Sequence, residues 1–117
     1  MGVLDQERRR YPRKKEAVQA WLSLRCATDA LSTLTLDLGA EGAQFSTLQP
    51  IAEADPVLIQ MQLGFSLVEC KGRVCWAKRM ANGLCHFGVR FLDLSPEDTD
   101  QVNQFLDRPS PVLSMAV

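Results

Sequence analysis

Residues 31–45 read LSTLTLDLGAEGAQF, and this stretch decides the fold. The leucines at positions 34, 36 and 38 alternate with Thr33, Thr35 and Asp37, and this period of two places them on one face of a half-buried strand. A turn at residues 39–42 follows, with two glycines that can take positive φ, and a short apolar return runs to Phe45. The stretch therefore predicts a β-hairpin.

Four further segments have strand patterns on either side of this hairpin. Residues 16–26 alternate apolar positions 18, 20, 22, 24 and 26 with Trp21 and polar residues, and residues 57–63, 67–76 and 85–91 complete the set. The last two segments flank Ala81-Asn82-Gly83, which contains the Asn-Gly pair typical of tight turns. Six strands in so short a chain predict a small all-β barrel or sandwich.

One short helix is predicted after the last strand. Ser95 offers an N-cap hydroxyl, Pro96 stands at the first helical position, and residues at 102, 105 and 106 share an apolar helical face. We expect this helix to pack on the strands. The predicted organisation is therefore a basic arm over residues 1–15, the strands and helix over 16–106, and a tail over 107–117.

Charge is distributed unevenly along the chain, although its formal net charge is only −1. Residues 1–15 carry six basic and two acidic side chains, whereas the remaining residues carry seven basic and twelve acidic ones. A basic arm on an acidic body indicates an anionic partner for the arm, without choosing among nucleotide, nucleic acid, membrane surface or protein. No apolar run is long enough to cross a bilayer, so we expect a cytoplasmic protein.

The cysteines and the single histidine do not predict a metal site. Cys70 and Cys75 have an odd separation, which places them on opposite faces of one strand, and zinc ligands need to converge. We therefore expect reduced, mostly buried thiols and no metal or cofactor. His86 has no nucleophile at a useful spacing, and no serine lies in a nucleophile elbow, so the sequence predicts a protein that is not an enzyme.

The basic arm contains an arginine pair of particular chemistry. Arg9 and Arg13 are four residues apart, and Pro12 between them disfavours a helix and pushes Tyr11 toward extended geometry. Both guanidinium groups can therefore wrap around a ligand. Their planar forks suit phosphate oxygens and the O6 and N7 edge of guanine. A solvated arm without a ligand is the alternative reading of such a run.

Four motifs in order resemble the PilZ domain, a bacterial receptor domain for cyclic di-GMP. Arg9 and Arg13 match its R-x-x-x-R motif, and Asp37 and Gly42 match the ends of its (D/N)-x-S-x-x-G motif. GRVCW at 72–76 and FGVRF at 87–91 are similar to its G-x-V-x-W and G-V-x-F strands. The resemblance spans residues 8 to about 106. It implies a six-stranded antiparallel β-barrel with a C-terminal helix.

The resemblance also implies a ligand and residue roles. Cyclic di-GMP would be gripped by Arg9 and Arg13, read by Asp37, and approached closely by the backbone at Gly42. Arg10 would be an auxiliary contact, and an arginine at the position of Arg8 accompanies binding of two ligand molecules in similar proteins. Ordering of the arm would then present a new surface to a protein partner in motility or biofilm control, with a monomer the favoured oligomeric state.

One departure from the pattern is Gly39, which stands where the family has serine. Loss of one neutral hydrogen bond, about 1 kcal/mol, predicts binding weakened roughly fivefold to tenfold. Two other functions stay open. A degenerate module could act through protein contacts alone, or a small basic-armed barrel could bind nucleic acid. The second would need exposed aromatic residues, whereas Trp21, Trp76 and most phenylalanines follow the core alternation.

Overall fold

A computed structural model describes residues 13–24 and 29–108, which form seven strands and one helix. The predicted strands and the helix are all present, and the sequence did not predict β1. In chain order the elements are β1 Arg13–Lys14, β2 Gln19–Leu24, β3 Leu31–Gly39, β4 Gly42–Thr47, β5 Pro56–Leu63, β6 Ser66–Arg79, β7 Cys85–Phe91 and α1 Pro96–Asp107.

Six of the strands close into an antiparallel barrel. Their order is β3-β2-β5-β6-β7-β4, and a further pairing between β3 and β4 closes the sheet on itself. β3 pairs with β2 through its first half and with β4 through its second half. The short β1 pairs with β3 at Leu38 and Gly39, beyond the residues of β3 that pair with β2. The predicted six-stranded barrel is confirmed.

Strict alternation of buried and exposed residues builds three of the strands that line the interior. β2 buries Ala20, Leu22 and Leu24 as predicted, and β5 and the first part of β6 follow the same period. Phe45 and Phe87 are fully buried and face each other across the core with ring centroids 5.7 Å apart. Burial of such large apolar side chains supplies the main driving force for folding.

β3 departs from its predicted alternation. Leu34 and Leu36 are 51 % and 39 % exposed, whereas Thr35 is only 2 % exposed and Leu38 is fully buried. The buried Thr35 hydroxyl is hydrogen-bonded inside the protein, because its oxygen accepts from the Val18 N–H at 3.0 Å. A bulge between Thr35 and Asp37 then shifts the register and returns Leu38 to the core. The prediction that three leucines share one face is therefore wrong.

The turns have the predicted locations but a different use of glycine. β3 and β4 are joined by Ala40 and Glu41, as expected, yet neither Gly39 nor Gly42 has positive φ. The described glycines with positive φ are Gly64 and Gly83, at the two other tight hairpins. Gly83 lies in the Asn-Gly turn that the sequence predicts. The expectation of positive φ in the β3–β4 turn is therefore wrong.

The helix forms as the capping residues predict. The Ser95 Oγ accepts a hydrogen bond from the Asp98 N–H at 3.0 Å, and Pro96 occupies the first turn. Val102, Phe105 and Leu106 are buried against the core. In the part of the chain that the structure describes, no helix is long and apolar enough to span a membrane.

Candidate functional site

The end of the basic arm lies beside the β3–β4 turn. β1 pairs antiparallel with β3, and this pairing sets Arg13 opposite Gly39 and Lys14 opposite Leu38. Arg13 closes the R-x-x-x-R motif, and Gly39 occupies the serine position of the second motif. Two motifs separated by more than twenty residues of sequence therefore meet at one place. The predicted site residues Arg8, Arg9 and Arg10 lie outside the described residues.

The second motif occupies the end of β3, the two-residue turn and the start of β4. Asp37 is half-buried and pairs with Gln44, and Gly39 is buried at the last position of β3. The turn is anchored because the Glu41 carbonyl accepts a hydrogen bond from the Phe91 N–H at 2.8 Å. The backbone that presents Asp37 is therefore fixed between two neighbouring strands.

Gly42 has a structural requirement of its own. A Cβ at this position would lie 2.2 Å from the Val89 carbonyl oxygen, which belongs to the backbone of β7. No side chain is accommodated at such a distance, so the residue type is dictated by closure of β4 on β7. This requirement holds whether or not a ligand binds nearby.

Two bulges flank the same level of the barrel. The β3 bulge lies between Thr35 and Asp37, opposite Phe45 and Gln44, and the β6 bulge lies between Val74 and Trp76, opposite Val89 and Gly88. Gln44 and Gly88 are themselves paired across β4 and β7. Because bulges re-aim side chains and often lie next to functional sites, this level of the outer surface is a candidate binding surface.

A shallow groove of about 260 Å³ opens there. Its lining residues come from β4, β6, β7 and the β3–β4 turn, and we call it the motif groove: Glu41, Gly42, Ala43, Gln44, Cys75, Trp76, Gly88, Val89 and Arg90. The Trp76 ring packs over Gly88, where a Cβ would lie 2.3 Å from Nε1. Trp76 is 39 % exposed, so one part of the indole faces the groove.

The sequence reasoning missed Trp76 as a site residue. It assigned Trp76 to the core alternation, and this is wrong because the β6 bulge turns both Cys75 and Trp76 outward. The same expectation holds for the buried Phe45, Phe87, Phe91 and Phe105. It is wrong for Phe65, which is fully exposed at the β5–β6 turn, and for Trp21, which is half-buried on the outward face of β2. A bulge leaves no simple mark in residue spacing, although Gly88 opposite a tryptophan is a signal of close packing.

Positive charge gathers at one edge of the motif groove. Arg90 on β7 is exposed and lies directly opposite Arg73 on β6. The Arg73 guanidinium donates to the Ala54 carbonyl at 3.1 Å, whereas the Arg90 guanidinium has no hydrogen-bond or ion-pair partner among the described residues. Like charges on directly opposite strand positions are unfavourable. An anion bound near Arg90 would relieve that repulsion.

The cysteines behave as the strand pattern predicts. Cys70 is buried and Cys75 is exposed, on opposite faces of β6, and Cys85 is buried. Burial first, and the nearby Asp93, Asp98 and Glu69 after it, raise the pKa of the Cys70 thiol to about 12. Cys26 lies outside the described residues. Within residues 13–24 and 29–108, no group of three or more histidine, cysteine or acidic side chains could hold a metal ion.

Comparison with known proteins identifies a family and solved structures that are similar to this chain. The family model of the PilZ domain matches residues 7–108, which is most of the chain. No curated protein sequence matches significantly. Among solved structures, the inhibitor of motility MotI/DgrA from Bacillus subtilis superposes with a TM-score of 0.72 at 11 % identity, over 82 % of this chain and 48 % of that one.

Two solved PilZ domains are matched over nearly their full length. The PilZ domain of YcgR from Escherichia coli, solved with c-di-GMP, has a TM-score of 0.66 at 17 % identity and covers 85 % of this chain and 88 % of its own. That of CeSA from a cellulose-synthesizing bacterium has a TM-score of 0.56 at 19 % identity, over 80 % and 93 %. This chain spans about half the length of MotI. At sequence identities of 11–19 %, the structural similarity to these three proteins shows a common fold.

Proposed function

We propose that this chain, which belongs to the PilZ domain family, is a cytoplasmic receptor for cyclic di-GMP whose arginine arm closes over the dinucleotide. The observation that carries this proposal is the pairing of Arg13 with Gly39, because it seats the first motif against the second. A ligand resting on the β3–β4 turn would lie between the arm and the barrel.

The proposed ligand has the charge and shape that this site can recognise. Cyclic di-GMP is a compact dianion with two guanines, and arginine forks bind both phosphate oxygens and guanine edges. Asp37 offers carboxylate oxygens that can accept from the N1–H and N2–H donors of guanine. Arg9 and Arg13 would hold the phosphates or the guanine edges, with Arg8 and Arg10 as additional cationic contacts.

The size of the motif groove supports a closing arm. Small-molecule sites usually enclose about 300–1,000 Å³, whereas this groove has about 260 Å³ and is open on one side. A dinucleotide would therefore need a second wall. The arm is joined to the barrel at β1, within reach of the groove, and its ordering over the ligand supplies that wall.

Trp76 and Arg90 would complete the site from the barrel side. The exposed part of the indole offers a flat apolar surface for a guanine ring, and stacking of a base on an aromatic side chain contributes about 1–3 kcal/mol. Arg90 supplies a guanidinium group that has no partner among the described residues. Both side chains line the motif groove together with Gly42.

The output of the proposed receptor is a change of surface. An arm that becomes ordered over a ligand presents a new face to a protein partner. MotI, which shares this fold, is named as an inhibitor of motility. We therefore propose a protein partner of the motility or biofilm machinery, recognised only in the ligand-bound state.

Isothermal titration of cyclic di-GMP into the full chain tests the proposal, with GTP as the ligand control. We expect saturable binding by the natural chain, and its loss in an Arg9→Ala, Arg13→Ala double variant. A Lys78→Ala, Arg79→Ala double variant is the matched control, since it removes two cations from exposed positions of β6 outside the motif groove. That variant should retain the natural affinity.

The Gly39→Ser variant tests the departure from the family pattern. Restoring the hydroxyl should tighten binding by roughly fivefold to tenfold, the value of one neutral hydrogen bond. Absence of heat in both the natural chain and Gly39→Ser would contradict the receptor function and favour a module that acts through protein contacts. Heat in Gly39→Ser alone would assign the loss of binding to that one substitution.

A further inference from the structure

Three neighbouring strand segments on one side of the barrel contain no charged residue, and the next strand, β6, places Glu69 and Lys71 at their border. The neighbouring strands β2 and β5 and the first part of β3, residues 19–24, 56–63 and 31–36, contain no aspartate, glutamate, lysine or arginine. The chain as a whole is 23 % charged. We call the outward-facing side chains of these three segments the uncharged face. On β3 it ends at the bulge between Thr35 and Asp37, which lies in the pairing of β3 with β4.

The uncharged face is rich in exposed apolar side chains. Leu34 and Leu36 on β3 and Leu58 on β5 are each more than one third exposed, and the half-buried Trp21 lies between them on the central strand β2. The register places Trp21 opposite Ser32 on one side and Gln60 on the other. Contiguous exposed apolar groups on a sheet indicate an interaction surface.

The polar groups of the uncharged face are arranged for a neutral partner. Gln19, Gln60 and Gln62 donate their amide Nε2 groups within the protein, to Ser32, Glu69 and the carbonyl of Gly64 among others. Their Oε1 oxygens accept nothing from the described residues, and the Trp21 Nε1–H likewise has no acceptor there. The face therefore presents glutamine acceptors beside the indole N–H donor of Trp21.

We propose that a second copy of this chain docks on the uncharged face, related by a two-fold axis near Trp21. A two-fold interface brings each surface against itself, so a patch with a net charge repels its own copy. The body of the chain after residue 15 has five more acidic than basic side chains, which disfavours self-association through its charged faces. At the uncharged face two copies approach without this repulsion, and each indole N–H can donate to a glutamine oxygen of the partner copy.

The extent of the face sets the expected strength. Three strands about 4.8 Å apart, with six to eight residues at about 3.3 Å each, span roughly 15 by 20–25 Å, or about 350 Å² of each copy. This area is smaller than that of a stable interface, so we expect a weak dimer that dissociates in the high micromolar range. The proposed dimer differs from the monomer expected from the sequence. It does not depend on the proposed ligand, because the motif groove lies on the other side of the barrel.

Sedimentation velocity of the full chain over the micromolar range tests this proposal. We expect a concentration-dependent dimer in the natural chain and a monomer in Trp21→Glu and in Trp21→Lys, because like charges then meet at the axis. Mixing these two variants should restore the dimer, which a misfolded variant could not do. Leu48→Glu is the matched control, since Leu48 is exposed in the loop after β4, and it should leave the dimer intact.

Two outcomes would overturn the proposal. A natural chain that stays monomeric throughout the concentration range shows that the face takes no second copy. A dimer that persists in both Trp21 variants shows that self-association uses another surface. Circular dichroism of each variant checks that the barrel is folded, and titration of cyclic di-GMP into Trp21→Glu should give the affinity of the natural chain.

Discussion

The two sides of the barrel differ in how regularly their strands are built. On β2, β5 and residues 66–74 of β6, buried and exposed residues alternate without interruption. On β3 and at the end of β6, a bulge breaks the alternation. The first group, which we call the regular side, carries the uncharged face on β2 and β5 and the exposed charged side chains Glu69, Lys71 and Arg73 on β6. The bulged side, with β4 and β7 between its two bulges, carries the motif groove.

This difference shows how the barrel obtains a binding surface without losing its core. Each bulge exposes a residue that strict alternation would not, and so both Cys75 and Trp76 face outward on β6. The strands resume their inward positions beyond each bulge, with Leu38 fully buried on β3. The bulges therefore place chemical groups outside while the interior stays filled.

Gly42→Ala should produce the largest effect, by breaking the bulged side. The added Cβ would lie 2.2 Å from the Val89 carbonyl oxygen, and both atoms belong to paired backbone that cannot move independently. We expect the free energy of unfolding to fall by about 3 kcal/mol, the upper range for overpacking. Urea denaturation followed by circular dichroism measures it.

Gly83→Ala is the control for this substitution. A Cβ at Gly83 meets nothing within 4 Å, although its φ of 88° strains an alanine. We expect a loss of about 1 kcal/mol, the usual cost of a left-handed non-glycine residue. If Gly42→Ala were no more destabilising than Gly83→Ala, β4 and β7 would not be packed as closely as the structure shows.

Trp76→Ala should separate the two sides by ligand affinity. Loss of the proposed base-stacking surface predicts binding of cyclic di-GMP weakened by about tenfold, within the range of one stacked base. Trp21→Ala removes the same side chain from the regular side and should leave the affinity unchanged. Isothermal titration of both variants decides the matter, since equal weakening by both would mean that Trp76 has no direct contact with the ligand.

The regular side could be predicted from the sequence because its strands and turns are determined by residues close together in the sequence. Residues 18–24 and 57–63 bury every second side chain, so hydrophobic alternation gives both the strands and their inward faces. The helix could be predicted for a similar reason, since Ser95 and Pro96 act on the turn that they begin. The Asn82-Gly83 turn also follows from its own residues.

The bulged side could be predicted only in part, because its geometry depends on neighbouring strands. The motifs marked Asp37, Gly39 and Gly42, yet burial of Thr35 depends on the Val18 N–H. The outward position of Trp76 depends on a register shift against β7. Neither long-range contact is encoded in the spacing of nearby residues. The uncharged face was visible in the composition of three segments, but only the strand order shows that they are neighbours.

Cys70 provides a smaller test, inside the regular part of β6. Its thiol pKa is raised from 9.0 to about 12 by burial first, and by Asp93, Asp98 and Glu69 after it. In the unfolded chain the thiol ionises near pH 9.0, whereas in the folded chain it stays neutral. The stability contribution is therefore complete below pH 9 and is lost as the pH rises toward 12. The free energy of unfolding should fall more steeply there in the natural chain than in Cys70→Ala, and equal slopes would contradict burial of this thiol.

Thiol labelling along β6 gives the finest comparison, because Cys70 and Cys75 share one strand. In a Cys26→Ser background, iodoacetamide should modify Cys75 rapidly, since its Sγ is exposed, and should modify Cys70 and Cys85 slowly. A Cys75→Ser variant should lose the rapid phase.

Saturating cyclic di-GMP should slow labelling of Cys75 and leave labelling of Cys70 and Cys85 unchanged, because Cys75 lines the motif groove and the other two face the interior. Protection of Cys75 in the natural chain but not in the Arg9→Ala, Arg13→Ala variant would show that the ligand covers the groove only when the arm binds it. Rapid labelling of Cys70 would instead show that β6 opens on its regular side, and the contrast between the two sides would then fail.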